Sequence, residues 1–395
     1  MMRPQLIRLC LGFVALALPA SARNAVAMDA LPSSTADALA QAASPQAIAE
    51  YRRKLKEYQD ARAAFEAEAG PYWTSITEKR RGRNAKRRDR QPITLNDYVL
   101  THPPLYTGPK RPVDPAPEPS ERPERKPIPV VADLLKAAAE EFQFTPQRPT
   151  TEVEFKRAYA RYALAAGLTS EQAVRVYSFE TGGTGNYDVQ SGIEHGGKRA
   201  ISTAIGYNQL LTTNSVELMA EQGHEFIKTL TEKAATLSGS PRKAMDHKLA
   251  VLKKMVAFTR TVPDDWSAHE KLANTAQGWA VHSMVLDIDV GPMLQTHKLL
   301  TSVIFARAKG YNRPLTAAEL EMMNLTGDGT GLDMVTMPQA MRERVPTSNF
   351  FQRGGYERNP VAIRHNTVAK LLAVTDERME FNSNKPGAKE LAAAF

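Results

Sequence analysis

Glu180 ends a short amphipathic segment, Ser170 to Glu180, and the residue types around it suit the cleavage of a glycan chain. Thr169 and Gln172 fit a capping box that opens a helix here. Ala173, Val176 and Tyr177 precede Glu180 by 7, 4 and 3 residues, so all four share one helix face. A carboxyl group on an apolar face loses water, which disfavours its charged form and raises its pKa. A general acid working near neutral pH needs that state. Gly182, Gly183 and Gly185 stop the helix and keep side chains away from the carboxyl. Downstream, Ser202–Leu211 is predicted as a second helix. It carries Gly206, where backbone can approach a ligand closely, and the amide pair Asn208-Gln209. The competing reading of Glu180 is an acid at a frayed helix end, bonded to a lysine or arginine.

A second carboxylate would change the chemistry. Glycosidases that retain configuration hold two carboxyl groups about 5 Å apart, and those that invert hold them further apart. Asp188 and Glu194 lie in the loop after Glu180 and are the candidates to position a water; the alternative is that both are solvated loop acids. His195 reads as a loop histidine. No metal or other cofactor is expected, because the eight histidines show no His-Glu-x-x-His spacing. Asp328-Gly329-Thr330-Gly331 with Asp333 lacks a full set of oxygen ligands and reads as a turn. No Gly-x-Ser-x-Gly elbow supports a serine nucleophile. Trp266, Trp279 and Tyr311 are candidates for sugar stacking, with core packing as the alternative.

The elements that must hold this site are helices. From Val130 onward the pattern predicts helices at Ala132–Phe142, Glu152–Ala166, Ser170–Glu180, Ser202–Leu211, Ser215–Leu237, Arg242–Arg260, Trp266–His282, Met293–Lys309, Ala317–Asn324 and Ala362–Glu377. Short strands are expected only within Gly185–Ser202. Upstream, Pro45–Ala69 reads as an amphipathic helix ended by Gly70-Pro71. The basic run Lys79–Arg90 follows, with Asp89 as its single acid. It reads as an exposed, solvated block, or as the anchor for an anionic cell-wall or envelope partner. Aromatic residues interleave too poorly with it for nucleic acid. Ile93–Tyr106 reads as a strand or hairpin. Prolines from Pro109 to Pro129 then form an extended spacer.

Arg3, Arg8, the apolar run Leu9–Leu18 and Ala20-Ser21-Ala22 read as a secretory signal. The apolar run is too short to span a bilayer, so no membrane span is expected after cleavage. Cys10, the only cysteine, leaves with the signal, and the net charge falls from +8 to +6 with Arg3 and Arg8. The expected location is a bacterial periplasm or exterior. The expected division is residues 1–22 as signal, 23–102 as helix plus basic segment, 103–129 as linker and 130–395 as the helical domain. Removing Met28–Pro129 is expected to leave the chemistry intact.

Glu180-Thr181, followed by Ser202-Thr203-Ala204-Ile205-Gly206-Tyr207-Asn208-Gln209-Leu210, resembles the soluble lytic transglycosylase family. That family has a Glu-Ser pair at a helix end, then a turn with Gly-Leu-Met-Gln, then a Tyr-Asn-Ala-Gly segment. Asn324-Leu325-Thr326-Gly327 corresponds to the third piece. Thr181 stands where serine is usual and Asn208 where methionine is usual. Met323 or Asn324 stands where the family has a tyrosine, a role open to Tyr356 or Tyr207. The resemblance implies a mainly α, lysozyme-like fold and cleavage of the β-1,4 bond between N-acetylmuramic acid and N-acetylglucosamine in peptidoglycan. It implies Glu180 as the catalytic acid and base, with Thr181, Ser202, Gly206, Asn208, Gln209 and Asn324 around the sugar. The alternatives are a hydrolytic muramidase that also uses Asp188 or Glu194, and an inactive wall-binding protein.

Overall fold

Helices make up most of the chain in the computed structural model, which describes residues 44–115, 127–193 and 199–395. The segment read above as a secretory signal, with Cys10, part of the proline-rich spacer, and Glu194 and His195 lie outside the described residues. The expectation of a mainly α protein holds. Among the described residues β-structure is limited to isolated bridges, and no helix is long and apolar enough to cross a membrane. The chain divides into two units. One joins the amino-terminal segment to Glu343–Val368, and the other comprises Pro127–Arg342 with Ala369–Phe395.

The amino-terminal unit is built on one long helix, α1 (Pro45–Arg88). Ser44 caps it by accepting a hydrogen bond from the Ala47 amide, and Pro45 sits in the first turn, where a missing N–H costs nothing. The helix does not end at Gly70-Pro71 as expected. It runs through Pro71 although a proline inside a helix costs about 3 kcal/mol. Packing offsets this. Ala69, Trp73 and Ile76 bury against Tyr356 and Ala362, with the Trp73 and Tyr356 rings edge to face at 5.7 Å.

The basic run is the last part of this helix, and three of its eight cations, Arg80, Arg83 and Lys86, turn toward their own unit. Arg83 is 1 % exposed. It donates to the carbonyls of Asp97 (2.9 Å) and Asn349 (3.1 Å) and lies 4.4 Å over the Tyr98 ring. Arg80 donates to the Asn349 and Phe351 carbonyls, and Lys86 pairs with Asp97 at 2.6 Å. Lys79, Arg81, Arg87, Arg88 and Arg90 remain exposed. The run is therefore a docking face for its own unit as well as a charged surface. Ile93–Tyr106 is no strand either: it holds one 3-10 turn, Leu95–Asp97.

The larger unit contains α2 (Val131–Phe142), α3 (Glu152–Ala165), α4 (Ser170–Thr181), α5 (Thr212–Ala235), α6 (Gly239–Thr259), α7 (Trp266–Ala273), α8 (Ala276–His282), α9 (Val290–Ala308), α10 (Ala317–Thr326), α11 (Asp328–Thr336) and α12 (Gln339–Arg342). Short α13 (Arg353–Glu357) and α14 (Pro360–Arg364) belong to the other unit, and α15 (Val368–Ser383) and α16 (Pro386–Ala392) complete the chain. In the larger unit α9 is the central element: it packs on α3, α5, α10 and α11. Thirteen of its 19 residues are buried.

Three expected helices differ. Trp266–His282 is split, because Thr275 caps a new helix by accepting from the Gly278 amide. Ala362–Glu377 is interrupted, because the Val368 amide donates to Val345 O and the Thr347 amide to Asn366 O. Ser202–Leu211 is not helical. Ile205 and Leu210 exchange backbone hydrogen bonds, and Ile205 also bridges to Gln190. Gly206 and Gln209 take positive φ, 82° and 45°, which closes a tight turn instead of a helix.

Candidate functional site

The capping box that starts α4 is present: the Gln172 amide donates to Thr169 Oγ1 and the Thr169 amide to Gln172 Oε1, each at 3.1 Å. Ala173, Val176 and Tyr177 are fully buried. Gly182 ends the helix in the left-handed region at φ 67°. Its last turn thus holds Glu180 at the edge of the core. The residue keeps part of its surface open, while its carboxyl group lies among protein atoms. Burial pushes that carboxyl up to about 7, opposed by Lys298 on α9, a hydrogen bond with Glu321 and the charge of Arg378 on α15. Arg378 itself lies 5.3 Å from the Phe179 ring centroid.

Glu321, on α10, is the partner that sequence reasoning missed. It is fully buried, and neither of its oxygens accepts a well-formed hydrogen bond. Burial first, and the charge of Glu180 second, push its carboxyl well above the ordinary carboxylate range, while Lys298 and the Asn324 amide act the other way. Two ionised carboxylates have acceptors and no donor. A hydrogen bond between them therefore requires that one be protonated.

The signal for Glu321 was in the sequence. In Ala317–Asn324, Glu319 is accounted for by its capping box with Thr316. Glu321 sits among Leu320, Met322 and Met323, all fully buried, with no basic residue three or four positions away. A carboxyl in such a run must be protonated or paired.

The other candidate residues divide in two. Asn324 lies beside Glu321 and, with Lys298, lines a recess of about 30 Å³ whose walls include Asn214, Glu217, Ser302 and Asp328. That volume holds a water or two, not a sugar ring. The remaining candidates are bonded within the protein. Thr181 Oγ1 donates to Tyr177 O at 2.8 Å. Asn208 is buried, donating from its side chain to Tyr159 Oη (3.1 Å) and Gln295 O (2.8 Å). A Cβ on Gly206 would stand 2.1 Å from Gln295 Nε2. Gln209 and Ser202 stay half-exposed; Gln209 Nε2 donates to Gly206 O, and Ser202 Oγ accepts from the Ala204 amide.

Behind this turn, His282 is fully buried. Its Nε2 donates to Thr203 O and its Nδ1 accepts from Ser215 Oγ, both at 2.8 Å. Burial holds it down at about 4, so it is neutral and fixes the turn to α5 and α8. Asp188 is ion-paired with Arg148 and is not among the groups acting on Glu180. Tyr207 donates to Glu152, and Tyr356 is buried in the amino-terminal unit. Trp266 and Trp279 are half-buried, and the Tyr311 hydroxyl donates to Glu319 at 3.2 Å. Among the described residues no three His, Cys, Asp or Glu side chains group in a way that could hold a metal ion.

Glu180 and Glu321, flanked by Lys298, Arg378 and Asn324, form the candidate site. No family model, no curated protein and no solved structure matches this chain.

Proposed function

We propose that this chain is an exported peptidoglycan lytic transglycosylase with a lysozyme-like helical domain, and that Glu180 is its catalytic residue. The observation that carries the reading is the Glu180 carboxyl itself: at a helix end, partly open, and held near neutrality by burial. In that state it can protonate the glycosidic oxygen between N-acetylmuramic acid and N-acetylglucosamine, so that the bond from that oxygen to the muramic C1 breaks and N-acetylglucosamine leaves with the hydroxyl. The resulting carboxylate then takes the proton of the muramic C6 hydroxyl, whose oxygen closes on C1. The proton count balances and no water enters. Ring closure within one sugar has the advantage of proximity. Gln209 and Ser202, which retain exposure, are the proposed sugar contacts, and Asn324 lies at the carboxyl pair.

The geometry of the carboxyl pair supports this chemistry over a two-carboxylate hydrolysis. Hydrolytic glycosidases separate their acids by about 5 Å or more to admit a nucleophile or a water. Glu180 and Glu321 are instead in hydrogen-bonding contact, and Asp188 is committed to Arg148. The test is turnover of purified peptidoglycan sacculi by wild type and Glu180→Gln. Wild type is expected to release 1,6-anhydromuramyl products, and the variant to lose at least about a thousandfold in rate. Reducing-end products, or retained turnover in the variant, would overturn the assignment.

A further inference from the structure

We propose that Glu321 is a positioning residue that stays protonated and donates a hydrogen bond to Glu180, so that Glu180 can carry negative charge part-way through a reaction in a dry site. The inference rests on the reading above and adds a second residue to it. Three observations combine. Glu321 is completely buried. Its two oxygens lack a well-formed donor. Its carboxyl meets that of Glu180, the more accessible of the two.

Charged groups around the pair come from several elements. Glu180 comes from α4, Lys298 from α9 and Arg378 from α15. On α11, Asp328 accepts from Ser302 Oγ at 2.6 Å, and Asp333 is buried. Glu319, on α10 itself, pairs with Arg313 and Arg342. Lys298 is thus the cation shared by both carboxyls, and Glu321 is the neutral donor.

The consequence for the reaction is specific. When Glu180 gives up its proton, a bare buried carboxylate would be left. A hydrogen bond from the Glu321 O–H to that carboxylate is charge-assisted and short-range, and it strengthens as the charge develops. Glu321 neither gains nor loses a proton over the cycle. An acid kept neutral by an apolar site so that it can donate is a known arrangement for stabilising anions. A donor is what the site needs from this residue, so an amide should replace the carboxyl.

The experiment compares wild type, Glu321→Gln and Glu321→Leu in the full chain. It uses the pH profile of kcat/KM on sacculi and carbon-13 NMR titration of the glutamate carboxyls. Glutamine is expected to restore turnover to within about threefold of wild type, with the Glu180 midpoint near its original place. Leucine is expected to raise that midpoint by about a unit, to move the alkaline limb up with it, and to cost at least about tenfold in kcat. Should leucine prevent folding, the glutamine variant alone decides, because an ionised partner would make it as inactive as Glu180→Gln. An unmoved Glu180 midpoint in the leucine variant, or an inactive glutamine variant, overturns the proposal. If wild type cleaves no peptidoglycan, the functional reading fails while the NMR midpoints still decide on the hydrogen bond.

Discussion

A carboxyl group kept near neutrality by burial stabilises the protein in one pH range and weakens it in another. Glu180 ionises around 4.5 when unfolded and about 7 when folded. Between those values the native state binds more protons than the unfolded state, so stability falls as pH rises through the window. Glu321 acts in the same direction. The neutral variant Glu180→Gln removes the Glu180 part of this penalty. It is therefore expected to be more stable than wild type at about pH 8, by roughly 1–3 kcal/mol, and to lose the advantage below about pH 4.5. Urea unfolding of both proteins across pH reads this directly, and a constant offset would show that Glu180 is not desolvated. Greater stability with lost turnover would be the trade expected of a residue held in an unfavourable state for its chemistry. His282 and His297 bend the curve the other way. Burial holds both at about 4, below the ordinary 6.5. Each contributes stability that is present above 6.5 and lost as pH falls through 4.

Among the elements, what was legible in the sequence was what local chemistry decides. The cap, inner face and glycine stop of α4 follow from residues within a dozen positions of each other, and all are present. The turn at 205–210 is different. It is held by Gln295 on α9 and His282 on α8, some eighty to ninety positions away, and helical propensity yields to those contacts. Glu321 escaped notice because α10 is buried all round, so it shows no polar face against which an acid looks out of place. The basic run is exposed at five of its eight cations, as expected, and turned inward at Arg80, Arg83 and Lys86, because a list of charges does not say which ones find carbonyls. On α1 this distinction can be measured. Arg83→Met would leave the Asp97 and Asn349 carbonyls without its guanidinium and remove the stacking on Tyr98. The expected cost is about 2–4 kcal/mol. Arg88→Ala, on the exposed side, should change stability by less than about 0.5 kcal/mol. The same pair should separate binding from folding. Only the exposed cations, Lys79, Arg81, Arg87, Arg88 and Arg90, should contribute salt-sensitive affinity for an anionic polymer.

At the scale of the whole molecule, the division into two units corrects a linear reading of the chain. A helix, a spacer and a domain in succession would allow the first two to be cut away. In the structure Glu343–Val368 leaves the larger unit and joins the amino-terminal one. There Tyr356 and Ala362 pack on Trp73, Ile76 and Ala69, Asn349 bonds both the amide and the carbonyl of Val99, and Arg353 pairs with Glu66 at 2.7 Å. Removing Met28–Pro129 would strip all of these partners from a segment that remains in the chain. Exposing an aromatic side chain of this kind costs about 2–3 kcal/mol, and each orphaned polar group adds about 1–3 kcal/mol. The truncated protein is therefore expected to bind a hydrophobic dye through the 343–368 segment and to become protease-sensitive there. Residues 44–115 supplied as a separate polypeptide should suppress both effects. Limited proteolysis with mass mapping reads the outcome, and a truncated chain that resists cleavage across 343–368 would show that this segment holds its shape without α1. Turnover in the same sample reports separately on α4, α9 and α10, which belong to the larger unit.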